Sequence, residues 1–185
     1  MSKPVLGIIG GGQLGSMLAT AAKKIGIKTV IFCDDQDAPA QSFSDKFICG
    51  KYDDQNIIDE FINAIDIATF EFENIPYETL NKINNIKSVL PNPSINKIVQ
   101  NRLFEKDYIN KLNIRTTQYV SINNEKEIYI NKDFLPGLLK ITTLGYNGKG
   151  QYKINLVDDL KNLNIDFTKE YILEKLVKLK KEISV

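Results

Sequence analysis

The amino-acid sequence predicts an α/β protein whose first part is a parallel sheet flanked by helices. Two observations predict it. Short apolar runs of strand length alternate with stretches of helical periodicity. A glycine-rich turn, Gly10-Gly11-Gly12-Gln13-Leu14-Gly15, then leads from the first run straight into the first periodic stretch.

Residues 5–9 read as a buried strand and residues 13–25 as a helix, with Leu14, Leu18, Ala22 and Ile25 at i, i+4, i+8 and i+11 on its apolar face. Gly26 ends that helix, as glycine does just past a helix C-terminus. Residues 28–33 form the second strand and residues 46–49 a short third. Asp53 or Asp54 caps a helix carrying Ile57, Ile58, Phe61, Ile62 and Ile65. Residues 67–72 are a fourth strand, Pro76 opens a helix over 77–85, and residues 88–90 are a fifth strand closed by Pro91-Asn92-Pro93.

From Ser94 the character changes. Residues 94–112 are helical with a break near Asn101, and strands follow at 117–122, 137–143, 151–155, 171–176 and 182–185, with helices near 124–129 and 157–163. The expected domains are therefore 1–93 and 94–185. A final strand cut off by the chain end predicts an incomplete second domain with an association-prone sheet edge.

Composition narrows the function. With 185 residues, 43% hydrophobic and 25% charged, there is material for one domain with a core or two small ones. Lysine and arginine total 24 against 23 acids, and a net charge of +1 offers no field to hold a nucleic acid. No apolar run approaches the ~20 residues of a membrane span, so a cytoplasmic protein is expected. The absence of histidine excludes Ser-His-Asp and Cys-His catalysis and any imidazole-liganded metal within these residues. Cys33 and Cys49 are too far apart for a CxxC motif, and since each ends an apolar run both read as core.

Four segments could carry chemistry. The first turn satisfies GxGxxG at Gly10, Gly12 and Gly15, and its free amides favour an anion. With Asp34 and Asp35 ending the second strand, this segment alone suggests an NAD(P)-binding oxidoreductase domain. The second segment, Glu71 to Pro76, ends a strand, and alternation would point Glu71 and Glu73 to one side to accept hydrogen bonds from hydroxyls or an amine. In the third, Lys140 interrupts an apolar strand ahead of a glycine-rich hairpin able to cradle phosphates, although it is no Walker A sequence. The fourth pairs Glu174-Lys175-Leu176-Val177 with Glu182, a pattern suited to an adenine edge and ribose hydroxyls; three interspersed lysines allow a plain charged edge strand instead.

Five motifs, taken in order, resemble the 5-(carboxyamino)imidazole ribonucleotide synthetases of the ATP-grasp superfamily: IIGGGQLGSM from Ile8, EFENIP from Glu71, QNRLFEK from Gln100, LKITTLGYNGKGQ from Leu139 and LEKLVKLKKEISV from Leu173. The resemblance spans essentially the whole chain. It implies a Rossmann-like parallel-sheet domain followed by the first part of an ATP-grasp domain. It also implies that ATP activates bicarbonate as carboxyphosphate and that the amine of 5-aminoimidazole ribonucleotide captures the carboxyl group. By resemblance Gln13, Leu14 and Glu73 face the ribonucleotide, Lys140 and Lys149 are the catalytic residues, and Arg102 and Lys140 meet ATP phosphates. Gly145, Tyr146, Asn147, Gly148, Lys149, Gly150 and Gln151 form the loop that closes over them. Glu174, with Lys175, Leu176 and Val177, meets adenine, and Glu182 meets the ribose.

The resemblance further implies a homodimer and Mg²⁺, whose ligands would lie in a carboxy-terminal half not contained in these residues, so the 185 residues alone are expected to be inactive. Three residues depart from the family pattern. Asn101 and Asn147 each replace an aspartate, and Ser16 stands where arginine is common. A degenerate nucleotide-binding module is the remaining alternative.

Overall fold

The first apolar run folds as β1 (Leu6–Ile9), and β2 (Thr29–Cys33), β3 (Lys46–Cys49), β4 (Ile67–Phe70) and β5 (Val89–Leu90) join it in one sheet ordered β3-β2-β1-β4-β5. Every neighbouring pair is parallel, as the sequence predicts. The structure is a computed structural model that describes residues 3–145, 150–181 and 183. Its internal contacts divide the chain into two units, Met1–Lys97 and Ile98–Val185.

Three helices cover the parallel sheet: α1 (Gln13–Lys24), α2 (Gln55–Ala64) and α3 (Tyr77–Asn84). The Asp54 carboxylate starts α2 by accepting from the Asn56 and Ile57 amides at 2.9 and 3.3 Å, a cap worth roughly 0.5–2 kcal/mol. One sheet face packs Ile9, Phe32, Ile48 and Ala68 against Ile58, Phe61, Leu80 and Ile83; the other packs Ile8 and Ile31 with Ala19 and Ala40.

Here α1 corrects the expectation from periodicity. Its buried residues are Gly15, Ala19 and Ala22, whereas Leu14, Leu18 and Ile25 are 56%, 38% and 62% exposed. The helix lies too close to the 3₁₀ turn Pro39–Phe43 and the glycine turn for large side chains. A Cβ at Gly15 would sit 2.7 Å from the Gly10 carbonyl and 3.4 Å from Ala40 Cβ. Strand β4 also stops short of its expected end. Phe70 is its last residue, and residues 73–75 turn, so alternation does not carry Glu71 and Glu73 to one side.

Two helices follow, α4 (Pro93–Val99) and α5 (Arg102–Lys111). The break falls at Asn101, whose side-chain oxygen accepts from the Leu103 and Phe104 amides at 2.9 and 3.2 Å. An amide oxygen caps as well as a carboxylate does, so this departure from the family pattern leaves the helix start intact.

The second unit is an antiparallel sheet. Strands β6 (Tyr119–Ile122), β7 (Gly137–Ile141), β8 (Gln151–Ile154) and β9 (Tyr171–Lys175) are ordered β6-β9-β7-β8, with α6 (Glu125–Ile130) and a 3₁₀ turn, Val157–Asn162, beside them. Ile122, Ile128, Leu139, Ile154, Tyr171 and Leu173 form its core. Strand β9 runs between β6 and β7, which overturns the reading of this segment as a charged edge. Apart from the exposed Ile183, the strand expected at 182–185 lies outside the described residues. Among the described residues no helix is long and apolar enough to cross a membrane.

Candidate functional site

Alternation along β7 resolves why a lysine sits in an apolar strand. Leu139 points into the core opposite Leu173. Lys140 therefore projects from the other face, the face that carries Glu174 on β9, placed diagonally to it in the register Leu138↔Glu174 and Lys140↔Ile172. Its ammonium donates to Glu174 Oε2 at 2.7 Å.

The other carboxylate oxygen, Oε1, is met by Lys106 Nζ at 3.2 Å, reaching in from α5. The glutamate side chain is 9% exposed, that of Lys106 16% and that of Lys140 19%. Burial pushes the Glu174 carboxyl up, but the hydrogen bond and charge of Lys140, then of Lys106, outweigh it and hold it below its ordinary value. Two ammonium groups on one carboxylate leave a formal charge of +1 in a half-buried place. Such a surplus suits an anionic ligand.

Lys106 closes the QNRLFEK motif, but the sequence alone assigns it no role. The signal was present, since Lys106 stands four residues after Arg102 on the same helix and so shares its face. Arg102 itself ties α5 to the glycine-rich connection between β7 and β8. Its amide donates to Thr142 O at 2.9 Å and its guanidinium to Gly145 O at 2.9 Å. At the far end of that connection, Gly150 has φ +70, its carbonyl accepts from Ile141, and a Cβ there would lie 2.6 Å from Ile141 Cγ2. Gln151 pairs with Lys140 in the β7/β8 register. Tyr146, Asn147, Gly148 and Lys149 lie outside the described residues, as does Glu182.

The segment after Glu174 is more committed than its sequence suggests. The Lys175 amide donates to Gln118 O and its carbonyl accepts from Thr117, while the Leu176 amide donates to Pro136 O. Val177, half exposed, lies beyond these bonds.

In the first unit, the switch in strand order between β1 and β4 opens a crevice at their carboxyl ends. A pocket of about 240 Å³ there is lined by Gly10, Gly12, Asp34, Asp35, Tyr52 and Glu71, among others. Glu71 occupies the place where a dinucleotide fold receives phosphate. Its Oε1 accepts from the Gly12 amide at 3.1 Å, and a Cβ at Gly10, where φ is +113, would lie 2.6 Å from it. The glycines thus admit the protein's own carboxylate, and the helix dipole of α1 already has its anion. NAD titrated to millimolar concentration is accordingly expected to leave the Gly10 to Gly12 amide resonances unmoved; saturable shifts there would show that the turn accepts a pyrophosphate.

Around the same pocket, Cys33 is buried, donates its thiol to Asp35 O and is pushed up to about 11, chiefly by burial. Gln13, Leu14 and Glu73 lie at this end of the sheet, all exposed, at the start of α1 and in the turn after β4. None of the three lines the pocket described above. Ser16, the third departure from the family pattern, donates its hydroxyl back to Gly12 O.

Among the described residues no group of three or more His, Cys, Asp or Glu side chains could hold a metal ion. Glu174 has a lysine on each oxygen, so the described residues do not fit a Mg²⁺ site.

Comparison with known proteins gives two family matches: the ribonucleotide synthetase preATP-grasp domain over residues 2–100 and the ATP-grasp domain over residues 107–185. A curated relative, the N5-carboxyaminoimidazole ribonucleotide synthase of Brucella melitensis, is 36% identical over 97% of this chain and 51% of its own length. The corresponding protein of Staphylococcus aureus is 33% identical over 97% of this chain and 49% of its own. A crystal structure of the Staphylococcus aureus N5-carboxyaminoimidazole synthetase complexed with ADP superposes with a TM-score of 0.90 at 31% identity, covering 96% of this chain and 48% of that one. The chain thus spans about half the length of these relatives.

Proposed function

Because the chain belongs to the ribonucleotide synthetase preATP-grasp family, we propose that it forms the amino-terminal part of an ATP-dependent carbon–nitrogen ligase. The reaction proposed is carboxylation of 5-aminoimidazole ribonucleotide with bicarbonate in de novo purine biosynthesis. The single observation that carries the reading is the surplus positive charge of Lys106, Lys140 and Glu174 on the sheet face where β7 turns into its glycine-rich connection.

In this reading Lys140, Arg102 and Lys149 stabilise the phosphates, and the segment from Gly145 to Gln151 covers them. Phosphoryl transfer asks a protein mainly for positioning and charge stabilisation. Val177 meets the adenine edge, since the amides of Lys175 and Leu176 are already bonded within the sheet. Glu182 takes the ribose of ATP. Gln13, Leu14 and Glu73 receive the ribonucleotide, whose amine attacks the carboxyl carbon of carboxyphosphate, forming the C–N bond as the C–O bond to the departing inorganic phosphate breaks and the amine loses a proton. Bicarbonate, a homodimer and a cytoplasmic setting belong to the same reading and rest on the family resemblance. The described residues offer no ligand set for Mg²⁺.

Separate titrations of ADP and of 5-aminoimidazole ribonucleotide test the proposal. Glu73→Gln is expected to weaken the ribonucleotide several-fold and leave ADP unchanged, because Glu73 and Lys140 belong to different units. Equal loss for both ligands, or loss of ADP alone, would sink the division of sites.

A further inference from the structure

We propose that Lys106 is the standing counter-ion of Glu174, a positioning residue that lets Lys140 leave the carboxylate for a nucleotide phosphate. This rests on the nucleotide reading above and goes further, because it addresses a conflict that reading contains. Lys140 is assigned to a phosphate, yet its ammonium is already 2.7 Å from Glu174 Oε2.

A carboxylate on a side chain only 9% exposed cannot simply be abandoned by its cation. Stripped of positive charge in such a place it takes up a proton instead. Lys106 removes that necessity. It sits on the opposite oxygen, Oε1, so departure of Lys140 leaves Glu174 with one lysine and a balanced charge. Lys106 is also held independently of Lys140. Its ammonium lies 5.4 Å from the centroid of the Tyr119 ring, a cation–π contact. The Tyr119 hydroxyl in turn donates to Asp107 at 2.6 Å and accepts from Asn110 at 3.0 Å, which fixes the ring.

Among the described residues the charged and titratable groups facing Glu174 are Lys140 from β7 and Lys106 from α5, with Tyr119 of the neighbouring strand β6 beside them. Proton balance then separates two cases. With Lys106 present, transfer of Lys140 from carboxylate to phosphate moves no proton. With Lys106 neutralised, the same transfer requires Glu174 to bind one proton from solvent, so nucleotide affinity falls as pH rises.

The test uses the 185-residue chain with its glutamate carboxyl carbons labelled, titrated with ADP at several pH values in the wild type, Lys106→Gln and Lys106→Arg. In the wild type Glu174 is expected to stay ionised from pH 6 to 8 with and without ADP. In Lys106→Gln the Glu174 midpoint should climb on ADP saturation, and between the free and the ADP-saturated midpoints ADP affinity should drop, relative to wild type, by about tenfold per pH unit, the slope of one linked proton, and level off above the higher midpoint. Lys106→Arg should restore the pH-independent behaviour. A lysine that only packs against Tyr119 would change affinity, if at all, without a proton count. ADP affinity in Lys106→Gln within about twofold of wild type at every pH (a difference below ~0.5 kcal/mol) would overturn the role of Lys106 alone. Absence of any response to ADP in the wild-type chain would remove the nucleotide reading and this proposal together.

Discussion

Lys140→Ala is expected to weaken ADP by roughly 10- to 100-fold, the worth of a charge-assisted hydrogen bond of about 1.5–3 kcal/mol, while the second unit keeps its fold. The fold should survive because Leu139, the neighbour that faces the core, is untouched, and Glu174 retains Lys106 on Oε1. Calorimetric titration of ADP into the variant, with thermal unfolding measured alongside, separates the two effects. ADP affinity within about twofold of wild type, a difference below ~0.5 kcal/mol, would show that Lys140 serves Glu174 and not a phosphate. The comparison is sharper with adenosine, which carries no phosphate and should bind wild type and variant alike.

Glu174→Leu is expected to be the most destabilising single change at the site. It removes the carboxylate shared by two lysines whose side chains are 16% and 19% exposed, leaving neighbouring ammonium groups to repel one another. Removing one partner of a buried pair costs about 3–5 kcal/mol. The lysine stems are long enough to turn toward water, which favours the lower end. For a unit of this size a loss near 3 kcal/mol lowers the unfolding midpoint by on the order of 10–20 °C.

The pH dependence follows from the same pair. The Glu174 carboxyl is held below its ordinary value of 4.5, so its contribution is fully present above 4.5 and is lost as pH falls through the lower folded value. Acid unfolding of the wild type should therefore have a component below pH 4.5 that Glu174→Leu lacks. Unfolding midpoints recorded from pH 3 to 7 check this. A variant as stable as wild type at pH 7 would mean that the two lysines find solvent without penalty.

Much of the fold was legible because it depends on local signals. Strand-length apolar runs gave every strand of the parallel sheet, Asp54 and Asn101 marked helix starts by capping chemistry, and Pro76 marked the entry to α3. The α1 face was not legible. Periodicity assigns burial by hydrophobicity alone, whereas Gly15, Ala19 and Ala22 are buried because close approach admits nothing larger. The same limit explains Glu71. Its place over the Gly12 amide depends on β4 lying beside β1, a pairing of residues 59 apart in sequence.

By itself, then, the sequence determined the α/β class, the helix boundaries and the candidate motifs, since each rests on side chains within a few residues of one another. It also placed Lys140 and Glu174 among the residues of interest. Only the tertiary structure decided what those residues do to each other. Strand pairing set Lys140 against Glu174, 34 residues away, and the docking of α5 brought Lys106 onto the second oxygen. Charge compensation is a property of distance in space, and three charged residues on three different elements acquire it only when the chain has folded.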